Sequence, residues 1–328
     1  MNDSGLELTK CTDQFYWDNV VDNSPQGNVF CMTHFLHALN REFDLWVVTK
    51  RGELLAGTII FRSGPAVLIS PQPFTMYQGV LLSHKIHGVA PHRKSAWILD
   101  VVGFLLMGLS RLYDRLSFCL HHCFDDLRSF QWFHYHEPQS GLFEIDLSYT
   151  GLLNLAAYKD FETYLSGIRP TRRYEYRRAI KMGLSVQESH DVDTLCDLHD
   201  RTFDHQGIEL KPDERYLVRS ITTAAITHGF GQMLLCRDKN GEYVSATLFI
   251  FDERCAYYLF GANNPELRNL NGGTFLMLEN IRRCMERKLE WIDMVGVNSP
   301  NRGDFKTSFN AKVVPYFVAT WDNPLCET

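Results

Sequence analysis

The chain has 328 residues, 45% hydrophobic and 22% charged, which is about two domains' worth of ordinary globular sequence and excludes a disordered or disulfide-stapled chain. Lysine and arginine total 33 against 39 aspartate and glutamate, a formal charge of −6. No overall basic field exists to hold nucleic acid through its phosphates, so DNA is not an expected partner and any nucleic acid must use a local patch. The nine cysteines, Cys326 among them, are scattered without a CxxC pair, and Met1–Lys10 lacks the basic-then-apolar order of an export signal. Both features predict reduced thiols and a cytoplasmic location.

In chain order, Leu45–Val48 and Leu54–Phe61 are apolar, β-branched runs joined through Lys50-Arg51-Gly52, which predicts a hairpin. A strand at Ala66–Ser70, a long apolar helix at Ser95–Tyr113 and a strand at Arg115–His121 follow. Within that helix Val101–Leu109 is the most membrane-like run, but it is far short of the ~20 apolar residues that span a bilayer and reads as a buried helix. Phe143–Leu147 reads as a closing strand and Gly151–Tyr158 as a boundary, dividing residues 1–150 from 151–328.

Beyond the boundary come Lys159–Ser166, a basic segment Arg169–Lys181, a strand Leu184–Glu188, and helices near Val192–Asp204 and Pro212–His228. The last opens on a proline, whose missing N–H costs nothing in a first turn. Met233–Cys236 and Tyr243–Phe251 then flank Asp238-Lys239-Asn240-Gly241 as a second hairpin. A strand at Arg254–Gly261, a helix at Thr274–Arg287 and a strand at Glu290–Val295 complete the pattern. On that helix Phe275, Leu278, Ile281 and Met285 form an apolar stripe suited to packing on a sheet. Gly52-Glu53 aligns with Gly241-Glu242, and Gly57-Thr58 with Ala246-Thr247, so the second hairpin and its following elements repeat the first. The expected class is mixed α/β (α+β mixed sheet), built as two copies of one unit.

Four segments carry candidate chemistry. Arg268-Asn269-Leu270-Asn271-Gly272-Gly273 lies between a strand and a long helix, either as a cradle of N–H groups for a pyrophosphate or as a plain Asn-Gly turn with a helix cap. Asp293–Pro300, followed by Asn301-Arg302-Gly303-Asp304-Phe305-Lys306, leaves a strand end where α/β sheets expose working groups. There Lys306 either faces an oxyanion or phosphate or is a solvated lysine, and Asp293 either accepts a proton or caps the local chain. In the basic segment Arg169, Arg173 and Arg177 are spaced to share a helix face, either for an anion or as a solvated surface. The patch Cys119, His121, His122, Cys123, His134 and His136 reads as core cysteines and loop histidines; no metal is expected, and no local signature marks a cysteine as activated.

Taken together, Phe130-Gln131-Trp132-Phe133 ahead of Phe143–Ser148, the basic run before Gly183-Leu184-Ser185-Val186, and Ile292–Gly296 leading to Phe305-Lys306-Thr307-Ser308-Phe309 resemble the Fem-type (FemABX) aminoacyltransferases. They also resemble related GNAT-superfamily acetyltransferases with two GNAT-like units in tandem. The resemblance runs from about Asn28 to Phe317 and implies two tandem GNAT-like (acyl-CoA N-acyltransferase) units, the second carrying the acyl-donor site. It implies an N-acyltransferase moving an acyl group from acyl-CoA (acetyl-CoA or a longer one) to an amine acceptor on a cell-envelope, glycan or peptide precursor. An aminoacyl-tRNA-dependent Fem-type transferase, with charged tRNA as partner, and a non-catalytic module for an anionic precursor are the rival readings.

By that resemblance the family's pyrophosphate turn falls on Arg268, Asn271 and Gly273, with Asn271 in place of the first glycine; Gly272, Tyr258 and Gly261 join the donor site. Lys306 would hold or polarise the acyl group, Asp293 or His205 would take the amine's proton, and Tyr316 would be the acid toward the leaving thiolate. Arg169, Arg173, Arg177, Asn298 and Phe305 would meet the acceptor. No heptad run is present to build the coiled-coil arm of some Fem proteins.

Overall fold

The computed structural model describes residues 5–325; Cys326 lies outside the described residues. The chain divides into two compact units, Met1–Ser148 with Pro315–Thr328, and Tyr149–Val314. Where the sequence divides the chain at 150/151, contacts instead return the last residues to the first unit, because Val318–Asp322 hydrogen-bond along Arg115–Cys119.

In the first unit, β1 (Leu6–Cys11) leads to α1 (Gln14–Asp22) and α2 (Thr33–Ala38), then to the hairpin β2 (Glu42–Lys50) and β3 (Glu53–Ser63). The hairpin turn works because Arg51 and Gly52 take positive φ, 51° and 77°, the left-handed pair that suits the twist of paired strands. β1 lies antiparallel on β2, and β3 also pairs with β4 (Ala66–Val67) and β5 (Val80–Leu82). The strand expected over Ala66–Ser70 is thus only two residues long. Next come α3 (His84–His87), α4 (Pro91–Leu109), β6 (Arg115–Cys119) and α5 (Arg128–Gln131); β6 pairs antiparallel with the chain's last strand. The run Val101–Leu109 is in α4 and buries Val101, Val102, Leu105, Leu106 and Leu109 in the unit's core. Among the described residues no helix is long and apolar enough to cross a membrane.

The second unit begins inside β7 (Glu144–Asn154), a single 11-residue strand where the sequence suggested a short strand and a linker. α6 (Phe161–Gly167), α7 (Pro170–Lys181), β8 (Ser185–Glu188), α8 (Val192–His205) and α9 (Pro212–Thr227) follow. Then come β9 (Gly231–Arg237), β10 (Tyr243–Phe251), β11 (Cys255–Asn263), α10 (Gly272–Glu286), β12 (Trp291–Asp293), α11 (Pro300–Thr307) and β13 (Lys312–Asp322). Its strands run in the order β7-β12-β11-β10-β9-β8. β8 to β11 are antiparallel neighbours, β11 and β12 are parallel, and β12 is antiparallel to β7. α10 buries Phe275, Leu278 and Ile281 as its stripe requires, in a core shared with Leu234, Phe249 and Ile292.

Candidate active site

β11 and β12 stay parallel for three pairs, ending at Tyr257 with Asp293. Past Asp293 the chain leaves the sheet, because Val295 and Gly296 take positive φ, 51° and 77°, whereas β11 runs on to Asn263. The strands therefore part at Asp293, two residues sooner than the strand the sequence predicts.

Left-handed backbone is costly for β-branched valine, and two buried side chains impose it. Asp293 Oδ1 accepts the Val295 N–H at 2.7 Å and the Thr150 hydroxyl at 2.5 Å. Thr150 Oγ1 in turn accepts the Gly296 N–H at 3.2 Å. Asp293 and Thr150 are both fully buried. The turn so fixed presents two carbonyl oxygens, of Val295 and Gly296, each 2.9 Å from Lys306 Nζ.

Lys306 sits half-buried in the last turn of α11, and burial pushes its pKa down to about 8, Arg302 adding to the fall and the Asp293 carboxylate opposing it. An ammonium has three donors; the two carbonyls take two and leave one. The Tyr258 ring lies 5.5 Å from Nζ, within cation–π range. Burial pushes the Tyr258 hydroxyl up to about 12, so it stays a phenol. That hydroxyl lies over Gly261, where a Cβ would come within 1.8 Å of it, a close approach glycine alone permits.

A second feature lies where α10 begins. Asn271 precedes it at φ 61° and makes no side-chain cap, so the first-turn N–H groups of Gly272, Gly273 and Thr274 have no intrahelical acceptor and carry the helix's partial positive charge. The glycine pair is a packing requirement: a Cβ would fall 2.6 Å from Val244 at Gly272 and 2.8 Å from Asn263 Oδ1 at Gly273. Exposed Arg268 donates from Nη1 to Nε2 of His205, the last residue of α8, at 3.2 Å.

The basic helix is less uniform than its spacing suggests. Arg169 precedes α7 and binds Asp304 with both terminal nitrogens at 2.8 Å, holding that carboxyl below its usual range. Arg173 donates to the Ser166 carbonyl, and Arg177 is exposed. Arg172, which the charge pattern did not single out, turns inward instead. Its Nε donates to Ser308 Oγ and its Nη1 to Glu175, both at 2.7 Å, and its guanidinium covers the Phe305 ring at 4.7 Å. Thr274 donates its hydroxyl to the same Glu175 oxygen at 2.6 Å. Arg172 thus ties α7 to both α11 and the first turn of α10.

Of the residues named from sequence, Lys306, Asp293, Tyr258 and Gly261 meet at the parting strands, and Arg268, Asn271, Gly272, Gly273 and His205 at the helix start. Asn298 Oδ1 accepts the Tyr149 N–H at 2.7 Å. Tyr316 belongs to the first unit, its ring 5.6 Å from that of Tyr77. Among the described residues no group of three or more metal-ligating side chains forms.

The comparisons with known proteins agree with this architecture. Residues 168–307 match a family profile described as an acetyltransferase (GNAT) domain. FemX aligns with a TM-score of 0.69 at 13% identity, over 95% of this chain and 96% of its own. A conserved protein of unknown function from Bacteroides thetaiotaomicron follows at 0.62 and 9% identity, covering 96% and 99%. A tandem GNAT protein from the clavulanic acid biosynthesis pathway aligns at 0.55 and 12% identity, covering 98% and 100%. No curated protein matches the sequence significantly. The chain therefore has a mixed α/β, tandem GNAT fold like that of FemX and the tandem GNAT protein.

Proposed function

We propose that the second unit is an N-acyltransferase site that takes its acyl group from acyl-CoA and delivers it to an amine. The observation that carries this reading is Lys306: an ammonium fixed by two carbonyls at the point where β11 and β12 part, with one N–H left to give. Gly272, Gly273 and Thr274 offer N–H groups, and Arg268 a cation, to a pyrophosphate. The thioester supplies an activated carbonyl. Lys306 donates its remaining N–H to the carbonyl oxygen as charge builds there, in a setting where a fixed donor costs no reorganisation. Asp293 is sealed from solvent and already accepts two donors, so we assign it to positioning the Val295–Gly296 turn rather than to proton removal.

Titration calorimetry with acetyl-CoA and longer acyl-CoAs tests the donor. Saturable binding weakened in Arg268→Ala is the expected result, followed by CoA release with amine acceptors, beginning with amino sugars of cell-envelope precursors. Failure of every acyl-CoA to bind would overturn it. A second reading, charged tRNA as donor, draws on one feature: α7 exposes Arg177, Arg178 and Lys181 beside Tyr174, 65% exposed. Salt-sensitive tRNA binding lost in Arg177→Glu would favour it.

A further inference from the structure

The first unit holds a different constellation, two to four residues past the end of β6. Cys123 Sγ lies 3.0 Å from His121 Nδ1, and the backbone N–H of Cys123 also donates to Nδ1, at 3.3 Å. Nδ1 is thereby an acceptor and the neutral ring keeps its proton on Nε2. The thiol's proton has a base within reach, closer than the Pro25 carbonyl at 3.4 Å.

The surroundings suit a thiolate. Gln26, 1% exposed, accepts through Oε1 from Leu82 N–H at 3.0 Å and Ser24 hydroxyl at 3.2 Å. Its amide is therefore oriented with Nε2 toward Cys123 Sγ, at 3.7 Å. The His121 ring packs against the rings of Tyr77 and His122, centroids 4.6 and 4.1 Å away. Cys123 is half-buried, at a shallow surface depression shared with Gln26, Leu82, Phe124, Asp125 and Asp126. Asp126 is bound by Arg128 at 2.8 and 2.6 Å, and Asp125 is exposed. Neighbouring Cys31 and Cys119 are sealed, and burial pushes both thiols up, Cys119 to about 12.

We propose that His121 and Cys123 form a nucleophilic pair that, beside the exposed Asp125, exchanges with a small amine-bearing disulfide from solvent, giving a mixed disulfide at Cys123. His121 Nδ1 takes the thiol proton, and the thiolate attacks one sulfur of the disulfide. A new S–S bond forms as the old one breaks, Cys123 is oxidised, and the departing thiolate, the reduced half, takes the proton back from His121. A more acidic thiol is more ionised but intrinsically less nucleophilic, so the net gain at pH 7 is several-fold rather than larger.

Whole protein is treated with cystamine, with glutathione disulfide, or with iodoacetamide at graded pH, and every cysteine is followed by peptide mapping. Cys123 is expected to react several-fold ahead of Cys11 and Cys196, which are also partly exposed, and faster with cystamine than with the acidic glutathione disulfide. Its alkylation midpoint lies below theirs and rises in His121→Gln. Labelling of Cys123 no faster than Cys11 and Cys196 in the unaltered protein overturns the proposal without recourse to any variant. A folded His121→Gln protein with an unmoved midpoint overturns the pairing, and equal rates for the two disulfides overturn the charge preference.

Discussion

The two units run the same course, hairpin, long helix, strand, and part company at the same three places. Under the hairpins, Gly57 lies beneath Trp17, where a Cβ would meet the ring at 3.0 Å, whereas the aligned position in the second unit is Ala246. At the helix starts, α4 opens on Pro91-His92-Arg93-Lys94, which removes one N–H and gives the Arg93 and Lys94 N–H groups to the Ala90 carbonyl. α10 opens on two glycines after Asn271, which makes no side-chain cap. Past the next strand, β6 delivers His121 and Cys123, while β12 delivers the Val295–Gly296 turn that grips Lys306. The repeated scaffold decides where groups emerge; the residues at those exits decide what each unit can do.

The hardest test of that contrast is Lys306→Met. Loss of a fixed donor to a developing oxyanion typically costs about 10²–10³ in kcat, whereas Lys94→Met, in the first turn of α4, is expected to leave turnover unchanged. Lys306 also predicts the pH profile. Its pKa is lowered to about 8, so the ammonium is present below that value and is lost as pH rises through it. Turnover should decline above about pH 8, and Lys306→Arg, which cannot deprotonate, should lack that limb whatever its rate. A Lys306→Met protein with full activity would move the chemistry away from the parting strands.

The second test asks whether the units answer acid differently. His199 on α8 packs on Phe203 and Phe260, and burial lowers its pKa to about 4. Trp17, on α1 of the first unit, is equally buried but does not titrate, its N–H spent on the Cys31 carbonyl at 2.9 Å. Between the ordinary histidine value of about 6.5 and that lowered value, the unfolded chain binds a proton that the folded chain refuses. Stability is therefore complete above about 6.5 and lost as pH falls toward 4, by about 3 kcal/mol. Hydrogen exchange at pH 7 and 4.5 should show protection falling first over β9 to β11, and His199→Phe should remove the difference.

Much of the scaffold was legible in the sequence because its signals are local. Gly52 and Gly241 adopt the positive φ their turns require, 77° and 87°, and the apolar spacing of α10 is the face it buries. The site was less legible because its decisive contacts are distant. Val295 is forced left-handed by a pair of side chains, Thr150 and Asp293, 143 residues apart, and no local pattern encodes that. Lys306 could be read from its segment either as a partner for an oxyanion or as a solvated lysine, and only the turn after the early end of β12 decides between them. Arg172 was hidden among like charges, and its inward turn is decided by Ser308 and Phe305 on another helix. Thr150→Val probes this long-range support directly. Removing the hydroxyl leaves the buried Asp293 short of a donor and should cost about 1–3 kcal/mol, read as a lower melting midpoint together with slower turnover.

The smallest expected effect separates the helix starts most cleanly, because it carries opposite signs. Asn271→Asp keeps a residue type that tolerates left-handed backbone and sets a carboxylate at the start of α10, which has no side-chain cap. A negative charge there should stabilise the helix by about 0.3–1 kcal/mol, yet it occupies the space and repels the charge of a pyrophosphate, so acyl-CoA binding should weaken while melting improves. Ala90→Asp makes the matching change at α4, whose start likewise lacks a side-chain cap. It should raise stability by about 1 kcal/mol and leave acyl-CoA affinity where it was. If both variants weaken binding equally, general charge is responsible and the α10 N-terminus has no privileged role; if only Asn271→Asp does so, the anion sits at the start of α10.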